Sequence, residues 1–190
     1  FMVDRNTPGI SIDVHEKKLG NCTSNIASIK FENVEVPTRN LLGREGDGYK
    51  IAMQAHSVFQ ISMAAISLGV AEAAFEAATQ YSFERYQNGK PIFEKPAIQL
   101  LLLDMADRIE TGRMLSLVTS IERSMGLAYS NSASRNKSFC SDTAIRVTSD
   151  VFKLCDGNHY SRIYPVEKYF RDARNIPIFE VQPKLLSTAI

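Results

Sequence analysis

Two different periods of apolar and polar residues run along this chain. Over residues 1–44 the apolar positions fall into short runs separated by turn residues. Phe1-Met2-Val3 precedes the turn cluster Asn6-Thr7-Pro8-Gly9. Ile10-Ser11-Ile12-Asp13-Val14 alternates apolar with polar, the period of a half-buried strand. Gly20-Asn21 marks a further turn. Ile29, Phe31, Val34 and Val36 then make an extended run that stops at Pro37, whose missing N–H ends a ladder. Three short strands alone are marginal, so they are expected to belong to a larger sheet.

From about residue 46 the period becomes helical. Residues 51–71 hold no charged side chain. That is long enough to cross a bilayer, but Gln54, His56, Ser57, Gln60, Ser62 and Ser67 would each need a partner in lipid. The run is expected to be the most buried helix of a bundle. Its pattern continues through Ala71, Ala74, Phe75, Ala78 and Tyr81 and stops before Asn88-Gly89 and Pro91. A second helix is expected from Pro96. Its stripe is Ile98, Leu101, Leu102, Met105 and Ile109, continuing through Leu115, Val118 and Ile121. Asp104 and Arg108 are spaced to pair on the opposite face. The polar stretch Ser130–Lys137 reads as a loop. A third helix should bury Cys140, Ala144, Val147, Val151 and Leu154, with Asp142, Arg146 and Asp150 outside. It ends at Asp156-Gly157-Asn158. Pro165 suits the first turn of a short fourth helix, Val166 to Arg171. A last helical piece is placed after Glu180. The predicted fold is mainly α: an antiparallel four-helix-bundle-like domain over 45–190, preceded by a partial antiparallel β segment over 1–44.

Composition narrows the function classes. Twenty-two basic against twenty-one acidic side chains leave a net charge of +1, without the clustered positive excess of a nucleic-acid binder and without a polybasic membrane patch. Apolar residues make up 44% of the 190, which excludes disorder as the dominant state. Cys22, Cys140 and Cys155 are too few and too spread for a disulfide framework or a zinc site, so reduced thiols and no metal are expected. His15 reads as a strand-surface residue and His56 as a core histidine. No partner is evident for His159. No signal peptide opens the chain; its start reads as the interior of a strand, and a fragment is expected.

Several short motifs are colinear: Phe31-Glu32-Asn33-Val34-Glu35-Val36-Pro37, then Gly46-Asp47-Gly48-Tyr49-Lys50 opening an Ala-rich helix, then Glu84-Arg85 with Gly89-Lys90. Gly157-Asn158 follows, then Tyr164-Pro165-Val166-Glu167-Lys168 with Arg171-Asp172-Ala173, and finally Ile178-Phe179-Glu180. In this order and spacing they resemble the acyl-CoA dehydrogenases over nearly the whole chain. Members are about twice this long, and the resemblance implies the last strands of a middle β-domain followed by the C-terminal bundle. It also implies FAD, an acyl-CoA substrate, a homo-oligomer (dimer or tetramer) and an electron-transferring flavoprotein as acceptor. The implied compartment is bacterial cytoplasm or the mitochondrial matrix.

The implied reaction removes an α-proton and a β-hydride from an acyl-CoA thioester. The proton is weakly acidic, so the base needs a dry slot and the carbonyl needs hydrogen-bond donors. Glu180 matches the family base. Arg85 matches an arginine that contacts the flavin diphosphate of a neighbouring subunit, and Gly157 the remaining glycine of a Gly-Gly turn. Gln182 stands where a threonine meets the flavin diphosphate. Read without the resemblance, Glu180 is a solvated carboxylate and Arg85 a helix-end cation. The departures are Asn88 for an aromatic residue, Pro96 and Lys153 for glutamines, Asp156 for a glycine, and Val181 for a glycine beside the thioester. Lys153 is either a surface lysine or a point charge for a phosphate. The losses leave a second reading, a non-catalytic structural subunit of a hetero-oligomer.

Overall fold

The computed structural model describes residues 1–155, 157 and 164–178. The chain divides into two compact units, the first being Phe1–His56 and the second opening at Ser57.

In the first unit β1 (Ile10–Ile12) pairs antiparallel with β2 (Ile29–Phe31), Ile10 facing Phe31. Gly9 closes the end of this ladder at φ +89°, and its carbonyl accepts the Glu32 N–H at 2.9 Å. A Cβ at that position would lie 2.3 Å from the Glu32 carbonyl oxygen, so only glycine fits. The expected strand at Phe1–Val3 does not form. Met2 is held instead to Asn40, by its N–H to the Asn40 carbonyl at 2.8 Å and by Asn40 Nδ2 to its own carbonyl at 3.0 Å. The run from Ile29 to Val36 also pairs only as far as Phe31, because Asn33 takes a left-handed conformation (φ +50°) that turns the chain. Ile12, Ile29 and Phe31 remain exposed, as expected of two strands without a wider sheet.

Four α-helices follow among the described residues: α1 (Gly48–Glu84), α2 (Pro96–Ser124), α3 (Ser130–Leu154) and α4 (Val166–Asn175). Cross-helix bonds fix their directions. Near the start of α1 and α3, Ser57 Oγ bonds Ser130 Oγ at 3.1 Å, and at their other ends the Tyr81 hydroxyl reaches the Cys155 carbonyl at 3.4 Å. α1 and α3 therefore run parallel. α2 runs against both, with Ser116 Oγ donating to Asn136 Oδ1 at 2.9 Å and Arg113 paired to Glu72 at 2.5 Å. α4 runs against α3: Arg174 donates to Ser149 Oγ at 2.8 Å, and Lys137 to the Pro177 carbonyl at 3.4 Å. The result is an up-down-up-down bundle, as the sequence predicts.

The core combines Ala71, Ala74 and Ala78 of α1 with Leu102, Met105 and Ile109 of α2 and Ala144, Val147 and Val151 of α3. Cys140 and Leu154 are buried as expected, while Asp142 and Arg146 pair outside at 2.6 Å. Asp104 and Arg108 pair at 2.7 Å.

Three expectations for the helices are also corrected. Ser130–Lys137 is the first part of α3, not a loop. Two of its polar residues are used inward, with Asn136 accepting bonds from Ser116 and Cys140, and Lys137 buried against Pro177. The charge-free run is not the most buried helix. Only Ser57, Gln60, Met63, Ala64, Ser67 and Ala71 are buried within it, one stripe of a helix packed on one side, while Met53 and Ile66 are exposed. In α2 the buried stripe passes from Ile109 to Gly112 and Thr119, leaving Leu115, Val118 and Ile121 exposed. α1 is long and apolar enough to cross a membrane. Its buried stripe, with Gln60 and Ser67, packs in the bundle.

Gly112 is the tightest point of this packing. A Cβ there would lie 2.7 Å from Leu68 Cδ2 and 3.3 Å from Cys140 Sγ, whereas one at Gly69 of α1 meets nothing within 4 Å. Gly112→Val is therefore expected to lower stability by about 1–3 kcal/mol through overpacking. Gly69→Ala should raise it by roughly 0.5–1 kcal/mol through helix propensity. Urea unfolding of the two variants beside the parent chain measures both signs.

Candidate functional site

The link from α1 to α2 is where chemistry collects. α1 ends at Glu84, and a hairpin of β3 (Tyr86–Gln87) and β4 (Lys90–Pro91) follows. Asn88 and Gly89 form its two-residue turn, both at positive φ (57° and 80°), as a type I′ turn requires. The hairpin is closed by the Ile92 N–H on the Arg85 carbonyl at 2.8 Å, and the Lys95 N–H bonds the Ile92 carbonyl at 3.1 Å. Phe83 and Phe93 stack across its base at 4.1 Å. Pro96 then opens α2 at a position where its missing N–H costs nothing.

Beside this hairpin lies a cavity of about 270 Å³ lined by Tyr81, Arg85, Gln87, Ile92, Lys95, Ile98, Leu154 and Gly157. Arg85 and Gly157, two residues the resemblance points to, thus line the same cavity although they are far apart in sequence. Ile92, Ile98 and Leu154 are apolar residues of its lining. Arg85 is exposed and makes no side-chain hydrogen bond or ion pair among the described residues. Lys95 donates to Gln87 Oε1. None of the described lining residues is a carboxylate. The neighbouring acids are engaged elsewhere, Glu84 by Gln80 at 2.8 Å and Glu94 by Lys90 at 3.4 Å. Two cations with no carboxylate among the described lining residues suit an anionic group such as a phosphate.

Other candidates are distributed differently. Glu180, Val181 and Gln182 lie outside the described residues, as do Asp156, Asn158 and His159. Lys153 is an exposed residue paired with Asp150 at 2.9 Å, the surface role. His15 is exposed and His56 half-buried. Among the described residues no three His, Cys, Asp or Glu side chains gather as a metal site. The sequence reading does not single out Gln87 and Lys95. The available signal was their position around the Asn-Gly turn, opposite Arg85.

Comparison with known proteins decides the family. The model of the acyl-CoA dehydrogenase C-terminal domain matches residues 46–180. The chain belongs to the acyl-CoA dehydrogenase family. It is 42% identical over 180 residues to an acyl-CoA dehydrogenase of Bacillus subtilis, covering 95% of this chain and 48% of that protein. The solved butyryl-CoA dehydrogenase of Megasphaera elsdenii superposes with a TM-score of 0.95 at 36% identity, over 98% of this chain and 49% of that one. A chain solved in work on the electron transferring flavoprotein of Acidaminococcus fermentans gives a TM-score of 0.95 at 39% identity, with 98% and 49% covered. The chain spans about half the length of the curated relatives it matches.

The thiols provide a check on the packing around the cavity. Cys155, whose carbonyl accepts the Tyr81 hydroxyl, and Cys140 are buried, and burial pushes each thiol up to about 11. Cys22 is exposed. At neutral pH one thiol per chain is expected to react quickly with a disulfide reagent and the other two only after unfolding. The pH dependence follows from the thiols staying protonated in the fold. Below the unfolded thiol pKa of roughly 8.5 they cost nothing, and stability falls as pH rises from there through about 11. A reagent titration with and without denaturant measures the counts, and melting between neutral and alkaline pH measures the slope.

Proposed function

We propose that these residues form the C-terminal part of a flavin-dependent enzyme that introduces an α,β double bond into an acyl-CoA thioester. The family-model match carries this reading: it runs from residue 46 to residue 180, and Glu180 is the residue proposed as the base. The cavity at Arg85 supports it, since its uncompensated cations fit a phosphate-bearing cofactor. FAD would supply the hydride acceptor for the β-carbon. Arg85 and Gly157 would hold its phosphates, and Gln182 is assigned to the same cofactor. Glu180 takes the α-proton as its carboxylate, leaving an enolate whose charge must be met by hydrogen-bond donors at the thioester oxygen.

The matched relatives include enzymes named as acyl-CoA dehydrogenases, which does not favour a non-catalytic subunit. The surface supports self-association into a dimer or tetramer. Ile66 on α1 and Leu100, Leu103, Leu117, Val118 and Ile121 on α2 are exposed large apolar side chains of the kind that mark interaction surfaces. The structure from work on an electron transferring flavoprotein supports such a protein as the electron acceptor. No role with nucleic acid or membrane is assigned. The compartment is proposed as bacterial cytoplasm or mitochondrial matrix.

Glu180→Gln in the full-length protein tests the base. The amide keeps size and hydrogen-bonding shape but takes no proton, so turnover is expected to fall by about 10²–10⁴ or more, with flavin content and acyl-CoA binding near normal. A solvated carboxylate would change turnover less than about threefold, the equivalent of roughly 0.5 kcal/mol. Stopped-flow reduction with a saturated acyl-CoA separates the two.

A further inference from the structure

We propose that Lys95 is a second phosphate-binding residue of the Arg85 cavity, so that two cations rather than one hold the diphosphate of an adenine nucleotide. The inference rests on the flavin reading above and extends it to a residue that neither the family match nor the motifs single out. Lys95 lines the cavity with Arg85 and Gln87. It is half-buried, and its ammonium is aimed by Gln87 Oε1 rather than drawn off by a carboxylate. An ammonium has three donors, so the bond to Gln87 leaves two for a ligand. The backbone bonds from Arg85 to Ile92 and from Ile92 to Lys95 set both cations on one rigid hairpin. Lys90, by contrast, points its charge at Glu94.

Size supports part of a dinucleotide rather than a whole one. At about 270 Å³ the cavity is smaller than the roughly 300–1,000 Å³ of a pocket that encloses a small molecule. It suits a diphosphate whose ring systems lie elsewhere. Gln87 is then a positioning residue, acting through Lys95. Two adenine nucleotides bring a diphosphate to this protein, FAD and the coenzyme A thioester, and the chemistry at Arg85 and Lys95 is common to both.

The experiment uses the full-length protein stripped of flavin, as wild type, Lys95→Gln and Lys95→Arg. FAD binding is followed by quenching of its fluorescence, and acyl-CoA binding by calorimetry, each at two salt concentrations. Loss of one charge-assisted bond weakens binding roughly 10-fold or more. Lys95→Gln is expected to raise the Kd for FAD by that factor and to flatten its salt dependence, with Lys95→Arg recovering most of the loss and acyl-CoA binding unchanged. A loss confined to acyl-CoA would keep the two-cation clamp and assign its diphosphate to coenzyme A. Equal affinities of wild type and Lys95→Gln for both ligands, in protein that binds FAD, would overturn the role of Lys95 and leave the flavin reading standing. A wild-type protein that takes up no FAD and no acyl-CoA would overturn both. Thermal melts of the variants exclude misfolding as the cause of a loss.

Discussion

The bundle turns on how closely α2 approaches its neighbours at Gly112. With no side chain at that position, Leu68 of α1 and Cys140 of α3 both press against the α2 backbone. Well-packed interiors do not adjust continuously, so this contact fixes the axial setting of three helices at once. One turn further, Asn136 Oδ1 accepts from Ser116 and from Cys140, which satisfies an oxygen that the same close approach takes out of water. The setting is passed along the helices to the end where α1 stops and α2 begins. There Arg85, Lys95, Leu154 and Gly157 line one cavity. The proposed phosphate site is thus positioned by helix packing and a two-residue turn.

The same packing explains what the bundle leaves uncovered. Alanines at 71, 74 and 78 let α1 sit close on the core but bury a narrow stripe. Ile66 and Phe83 of α1, and Leu117, Val118 and Ile121 of α2, stay in water in a single copy. A surface this apolar on two long helices matches the proposed assembly of several copies. Freedom from charge in residues 51–71 then fits two uses of one helix, a stripe for its own core and a face for the proposed assembly.

Legibility in the sequence was uneven, for physical reasons. Helix starts and stops were readable where backbone chemistry enforces them: Pro96 at the first turn of α2, Asn88-Gly89 at the hairpin, Pro165 before α4. The α3 stripe was readable because a single strong period carries it. Ser130–Lys137 was not, since serine and asparagine read as turn formers whereas Asn136 and Lys137 find buried partners supplied by other helices. Leu115, Val118 and Ile121 continue an apolar pattern without continuing the buried face, a distinction that period alone does not make. For the site, Arg85 and Gly157 were reachable through colinear motifs. Lys95 and Gln87 emerge only when the hairpin folds them beside Arg85.

The central claim is that this bundle belongs to a protein that holds a flavin and reduces it with an acyl-CoA. The most direct measurement is the visible spectrum of the full-length protein, before and after anaerobic addition of a saturated short-chain acyl-CoA. The account predicts a yellow protein whose flavin absorbance bleaches on addition of the thioester. A colourless protein that takes up no FAD, or a flavin band that no acyl-CoA bleaches, would contradict it.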